Sequence, residues 1–214
     1  MGDEGFREII ALGAENAPEV AALGLAYKAA KGLLVRIAGP AADEIGAIVL
    51  DKVRMYRFKN QIKILSKAKV FLEEAGLTPN IIPLRTLLPL LDGAALEDDD
   101  YLSSKWAALI ANAASGLDKS LSHPSFPKIL SEMSPQDAVI LDALLERGNE
   151  FGWTEFREEM AKKLSLDLYD INCTHNNLLR LGIARTTTKE GKSIIGLFPF
   201  GELFVRACTE PKRR

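Results

Sequence analysis

The chain has 214 residues, 47% apolar and 26% charged, with 27 Lys and Arg against 29 Asp and Glu for a formal net charge of −2. That length can bury a full core in one domain or two small ones, and the balance of charge excludes a global field drawing the chain to nucleic acid or an acidic membrane. Two cysteines, Cys173 and Cys208, are too few for a disulfide framework or a four-cysteine metal site, and read as buried thiols in a reducing compartment.

The first residues carry Asp3, Glu4, Arg7 and Glu8 where a signal peptide needs a cationic start and an apolar core. No window reaches the roughly 18 uncharged apolar residues of a membrane span. The nearest, 20–50, is interrupted by Lys28, Lys31, Arg36, Asp43 and Glu44. The expectation is a cytoplasmic protein. Within that stretch Val20, Leu23, Tyr27, Ala30, Leu34 and Ile37 recur at alternating spacings of 3 and 4. Such a seam suits a helix packed on one partner, so Leu23, Tyr27 and Leu34 are candidates for self-association.

Gly39-Pro40 breaks the chain, and a long helix is expected from about Ala41 to Ala75, ending at Gly76. Met55, Phe58, Ile62, Leu65 and Leu72 share one side of it, with Lys69 as an interruption. A helix of that length calls for an antiparallel neighbour or a subunit contact. A short helix over about Leu84 to Leu91 follows the loop prolines 79 and 83, and the acidic run Glu97-Asp98-Asp99-Asp100 precedes a strongly helical segment, Tyr101 to Ala114, stopped by Gly116. His123-Pro124-Ser125-Phe126-Pro127 reads as a turn before a last short helix, Lys128 to Met133, and the best domain boundary falls near Ser134.

From there the pattern is helix, helix, helix, hairpin, short helix, the order of a winged helix-turn-helix. Ser134-Pro135-Gln136-Asp137 opens the first helix with a cap and a first-turn proline, and Gly148 closes it. Thr154 is expected to cap the second helix, and Asp167 or Asp170 the third. Strands are expected over residues 183–187 and 193–197, joined by a turn spanning Thr188 to Lys192 and built around Gly191. Pro199 can start the final helix. The fold class is therefore mainly α: an N-terminal amphipathic segment (1–39), a helical domain with a long central helix (40–133), and a winged-helix-like unit with one small β-hairpin (134–214).

Two surfaces carry candidate contacts. Residues 51–69 hold seven Lys or Arg and one acid, Asp51, and helical periodicity groups Lys52, Lys59, Lys63 and Lys67 with Tyr56 among them. The stripe is either a track for phosphates or a solvated face offset by the acidic run, and the near-neutral total favours the second. The third helix of the C-terminal unit offers Asn172, Asn176 and Arg180, and the hairpin adds Arg185, Lys189 and Lys192. Asn and Arg are groove-reading side chains, but Glu155, Glu158 and Glu159 lie on the preceding helix, and a winged helix can equally pair with proteins.

No phosphate-binding glycine loop, dinucleotide fingerprint, nucleophile elbow or zinc-helix motif is present. The two histidines, His123 and His175, suit structural roles better than a metal site or triad. The adjacent carboxylates 97–100 are more simply helix N-terminal charges than a cation site. Tyr101, Trp106 and Trp153 could be read as a ligand cage, but Trp106 falls on an apolar stripe with Leu102, Leu109 and Ile110, which favours core packing. No catalysis, metal, cofactor or small-molecule substrate is expected.

Several blocks in order resemble one bacterial family. Pro40-Ala41-Ala42-Asp43-Glu44-Ile45-Gly46 running into Asp51-Lys52-Val53-Arg54 and Asn60-Gln61-Ile62-Lys63 is similar to the central helix of the abortive-infection alpha proteins. So are Leu87-Leu88-Pro89-Leu90-Leu91, Trp106 to Ala113, His123-Pro124-Ser125-Phe126, Met133 to Ala138, Asn177 to Gly182, and Pro199-Phe200-Gly201 with Phe204. The resemblance spans about residues 38–208. It implies a factor of abortive phage resistance, and brings no reaction or catalytic residues with it. Three functions follow as expectations. The first is a non-enzymatic phage-defence factor working through protein contacts or self-association. The alternatives are a winged-helix DNA-binding regulator, and a membrane-acting effector using residues 20–38 as an interfacial helix, which a polar face made mostly of Ala and Gly disfavours.

Overall fold

A computed structural model describes residues 52–148 and 151–212, together with Gly32, Leu33, Val35 and Arg36. Leu23, Tyr27 and Leu34, and the expected long helix before position 52, lie outside the described residues.

Helix α1 (Lys52–Glu74) is the central rod of the N-terminal part. Ile62, Leu65 and Leu72 are buried as the periodicity requires, and Ile64, Ala68 and Phe71 join them. The buried face is therefore wider than a coiled-coil seam, as expected of a helix covered by two neighbours. Those neighbours are α2 (Leu84–Ala95) and α3 (Asp100–Ser115). Helix α2 continues a turn beyond its expected end, through Pro89. Its Gly93 makes the close approach to α3 possible, because a Cβ there would stand 2.2 Å from the buried Trp106 ring.

Helix α3 is capped by Asp99, whose carboxylate accepts the Tyr101 and Leu102 backbone N–H groups, each at 2.9 Å. It ends on Gly116 in the left-handed region. A short 3-10 turn (Lys119–Ser122) and α4 (Phe126–Ser131) follow. The latter begins two residues before its expected start, since Pro127 fits a first turn.

Ser134 and Asp137 form a reciprocal capping box on α5 (Pro135–Arg147). The remaining elements are β1 (Phe151–Gly152), α6 (Trp153–Leu164), α7 (Leu168–Arg180), β2 (Ala184–Lys189), β3 (Lys192–Leu197) and α8 (Pro199–Ala207). The strands form one antiparallel sheet in the order β1-β3-β2, so this is a winged-helix-like arrangement. Three of its details correct the sequence reading. The hairpin gains a third strand, because Phe151 and Gly152 pair with Ile195 and Ile194. That pairing holds the chain extended up to Gly152, so α6 starts at Trp153 with Gly152 in the cap position, and Thr154 caps nothing. The turn is also tighter than the segment from Thr188 to Lys192: Lys189 pairs with Lys192, leaving two loop residues. Glu190 and Gly191 both have positive φ, 52° and 76°, as a type I′ turn requires.

One cluster of buried side chains runs from the N-terminal helices into the C-terminal unit, across position 134. Asn112 on α3 donates to the Ala207 and Thr209 carbonyls at 2.9 and 2.7 Å, so it holds the end of α8. His123, Phe126, Phe200 and Phe204 form an aromatic group with ring centroids 5.2 to 5.4 Å apart. Gly201 lets α8 sit on the start of the hairpin, since a Cβ there would lie 2.0 Å from the Ile183 carbonyl oxygen.

Candidate functional site

The basic stripe of α1 lies beside the acidic start of α3. Lys63 Nζ pairs with Asp100 at 2.6 Å, Lys67 donates to the Ser104 hydroxyl and lies 5.9 Å from the Phe71 ring, and Tyr56 donates to Asp98 at 3.1 Å. Lys59 is exposed, and the Lys52 side chain lies outside the described residues. Each of the four acids has a different task. Glu97 accepts the Asp99 N–H at 2.9 Å, Asp98 takes Tyr56, Asp99 caps the helix and Asp100 takes Lys63. Ion pairing with Lys63 lowers the Asp100 carboxyl below its ordinary range. Burial chiefly raises that of Glu97, against the Asp99 backbone N–H that lowers it. The acids thus diverge along the chain, and their charges meet α1 and the α3 backbone.

Helix α7 buries Ile171, Thr174, His175 and Leu178 and turns Tyr169, Cys173, Asn176 and Arg180 outward, with Asn172 half-buried between. The reading of both cysteines as buried is corrected at Cys173, which is exposed, whereas Cys208 is buried. Position 173 lies one turn from Tyr169 and Asn176, on the solvent side of the helix. Burial pushes the Cys208 thiol far up, so it holds its proton.

Arg180 is tied down. Its guanidinium pairs with Glu132 at 2.7 Å and donates to the Asn177 side-chain oxygen Oδ1 at 2.8 Å. Asn177 Nδ2 in turn donates to the Glu132 carbonyl at 3.1 Å and to Asp137 Oδ2 at 2.9 Å. Asp137 is 3% exposed, and its Oδ1 is buried without a hydrogen-bond partner among the described residues. This latch fastens α7 to the junction between α4 and α5. Sequence reasoning missed Glu132 as the partner of Arg180, 48 residues away, and no local pattern announces it.

The hairpin is positioned from its inner side. His175 Nε2 lies 2.9 Å from Thr186 Oγ1 and its ring stacks on Trp153 at 4.0 Å. Burial lowers the imidazole pKa, which favours the neutral ring in that contact. Strand alternation then divides the ribbon. Ala184, Thr186 and Thr188 share a face with Leu197, Ile195 and Ser193, and Arg185, Thr187 and Lys189 share the other with Gly196, Ile194 and Lys192. Arg185 is half-buried, and Lys189 and Lys192 are exposed.

A further polar group, Tyr101, Lys105 and Asp142, also escaped the sequence reading. Lys105 Nζ reaches both Asp142 oxygens at 2.8 and 2.6 Å, and the Tyr101 hydroxyl donates to the same carboxylate. Burial, and then that carboxylate, raise the phenol pKa. A void of about 10 Å³ borders Lys105, Asp142 and Cys208, room for no more than a water. An open groove of about 390 Å³ lies between Phe71, Glu74 and Ala75 of the α1 end and Glu210, Pro211 and Lys212 of the tail. Neither cavity brings the candidate contact residues together. Among the described residues no three His, Cys, Asp or Glu side chains are grouped to hold a metal ion, and no helix is long and apolar enough to cross a membrane.

Helices around a long rod, continuous with a winged-helix-like unit latched through Asn112 and Asn177, define a mainly helical protein with a small antiparallel sheet at its C-terminal end. The model of the abortive infection alpha family matches residues 52–208, and the chain belongs to that family, which ties it to phage defence by abortive infection. No curated protein and no solved structure matches it.

Proposed function

We propose that the chain is a non-enzymatic phage-defence factor that works through protein contacts, with self-association along its N-terminal seam. The observation that carries this reading is exposed apolar surface on α2 and in the loop before it. Leu84 and Leu88, one helical turn apart, are 45% and 46% exposed, and Ile81 in the loop that leads into the helix is 65% exposed. Grouped exposed apolar side chains mark surfaces that meet other proteins. The side chains best suited to chemistry have other work: His123 packs in the aromatic group, His175 braces the hairpin, Cys208 is buried, and Asp137 and Asp142 hold helices together. Among the residues of the family-like blocks, Asn112, Phe126 and Asn177 join the two parts of the chain, and Asp137 and Gly201 hold the C-terminal unit together.

The test is a phage challenge of bacteria expressing the chain, with a Leu84→Asp/Leu88→Asp variant and a Leu23→Asp/Tyr27→Asp/Leu34→Asp variant. Plaque number and light-scattering mass are read together. Loss of protection in the first variant, with unchanged helicity, and a smaller mass in the second are expected. Full protection by both overturns the reading.

A further inference from the structure

Helix α2 turns an apolar face outward. Beyond Leu84 and Leu88, its cap residue Leu96 continues the same side and is 60% exposed. Arg85 and Asp92 stand on that face too, and both are exposed. Their placement is unusual. Arg85 lies in the first turn of the helix and Asp92 in the last, each at the end whose dipole disfavours it. They are about 10.5 Å apart along the axis and within about 20° around it, so they do not pair with one another and they share one flank of the face. Arg85 lies as far before the midpoint between Leu88 and Pro89 as Asp92 lies beyond it, and Ile81 and Leu96 are centred on the same point.

Such a face is complementary to itself. A twofold axis at the midpoint runs two α2 helices antiparallel and sets each flank against the same flank of the copy, with heights reversed. Leu88 then meets the second copy's Leu88 at the centre. Arg85 meets the second copy's Asp92, and Asp92 meets its Arg85. Ile81 and Leu96 close the ends. Each charge also lands beside the opposite terminus of the neighbouring helix, where the dipole favours it. Pairing therefore corrects what the isolated helix has the wrong way round. Parallel packing in register would set Arg85 on Arg85 and Asp92 on Asp92. With one cation and one anion, the face has no net attraction for a nucleic acid or for an acidic or basic peptide.

We propose, on the reading that α2 serves protein contacts, that its partner is α2 of a second copy of this chain, paired antiparallel about the Leu88–Pro89 midpoint. The contact is isologous, each copy offering the same patch. A helix of 12 residues offers far fewer contacts than the roughly 20–30 residues a side of a standard interface, so the dimer is weak and forms as the concentration rises.

Analytical ultracentrifugation of the full chain across a concentration series tests it. The mass should climb with concentration. Arg85→Asp sets acid against acid at both ends of the contact and should weaken association by about tenfold or more, and Asp92→Arg should do the same with cations. The exchange Arg85→Asp/Asp92→Arg rebuilds both pairs and should return association to within about threefold of the parent. A mixture of the two single variants should associate although neither does so alone. Both positions are exposed, so the circular dichroism of every variant should match the parent. A parent that stays monomeric at every concentration overturns the proposal. So does unchanged association in Arg85→Asp, failure of the exchange to restore it, or association that responds only to the Leu23→Asp/Tyr27→Asp/Leu34→Asp variant. The reading of α2 as a protein-contact surface survives those results if Leu84→Asp/Leu88→Asp still loses phage protection, because a host or phage protein then covers the same leucines.

Discussion

Gly201→Ala separates the geometry of the α8 docking from ordinary helix propensity by the sign of its effect. Gly201 lies inside α8, where alanine is normally worth about 0.5–1 kcal/mol of added stability. Here the new Cβ would stand 2.0 Å from the Ile183 carbonyl oxygen and 2.9 Å from its carbon. A carbon and a carbonyl oxygen come no closer than about 3.3 Å in comfort, so one backbone must withdraw by roughly 1.3 Å. Neither is loose. Ile183 is fully buried, and its carbonyl accepts the Phe198 N–H at 3.0 Å, the bond that closes β3 onto the base of the hairpin. Overpacking of this kind costs about 1–3 kcal/mol, and weakening that hydrogen bond costs about 1 more. Set against the gain in helix propensity, the net loss is about 2 kcal/mol, or a fall in Tm of about 4–8 °C for a chain of this size. Differential scanning calorimetry reads it. An unchanged or higher Tm would mean that α8 does not ride on Ile183 and would refute the packing argument.

Two other outcomes follow from the latch and the brace. Asn177→Ala removes the donor that serves Asp137 Oδ2 and the Glu132 carbonyl, and should destabilise the chain by about 1–3 kcal/mol in urea unfolding, whereas Asn176→Ala, on the exposed side of the same helix, should change little. His175 has its pKa lowered by burial, so the unfolded chain takes up the proton first. The brace therefore contributes fully above the unfolded value of about 6.5 and loses strength as the pH falls below it, down to the folded-state value. His175→Gln should flatten the decline of the urea midpoint between about pH 7 and 5.5, and parallel curves for parent and variant would count against a neutral buried imidazole.

The readable features were those whose cause lies within a few residues. Ser134 with Asp137, Asp99 before Tyr101, and Asp167 before Asp170 satisfy helix N–H groups one turn away, and Gly116 and Gly148 adopt positive φ just past their helices. Any fold containing these segments can use them, so sequence alone sets where the rods start and stop. The apolar rows of α1 and α3 were legible for the same reason.

The misread features depend on distant partners. Gly152 caps α6 because Phe151 and Gly152 pair with Ile195 and Ile194, some forty residues later, so Thr154 looked like a cap only while that pairing was unknown. Cys173 and Thr174 are neighbours in sequence, and only the docking of α7 decides which one meets water. Lys63 and Arg180 looked like free cations until folding brought Asp100 and Glu132 beside them. Arg185, Lys189 and Lys192 were already visible as cations, but the two-residue turn set the register that gathers them on one face. The sequence by itself determined the elements, through contacts inside one turn of helix or one hairpin. The tertiary structure decided which charges Lys63 and Arg180 answer, because a charge is answered by whatever lies within a few ångströms, however far along the chain that neighbour is.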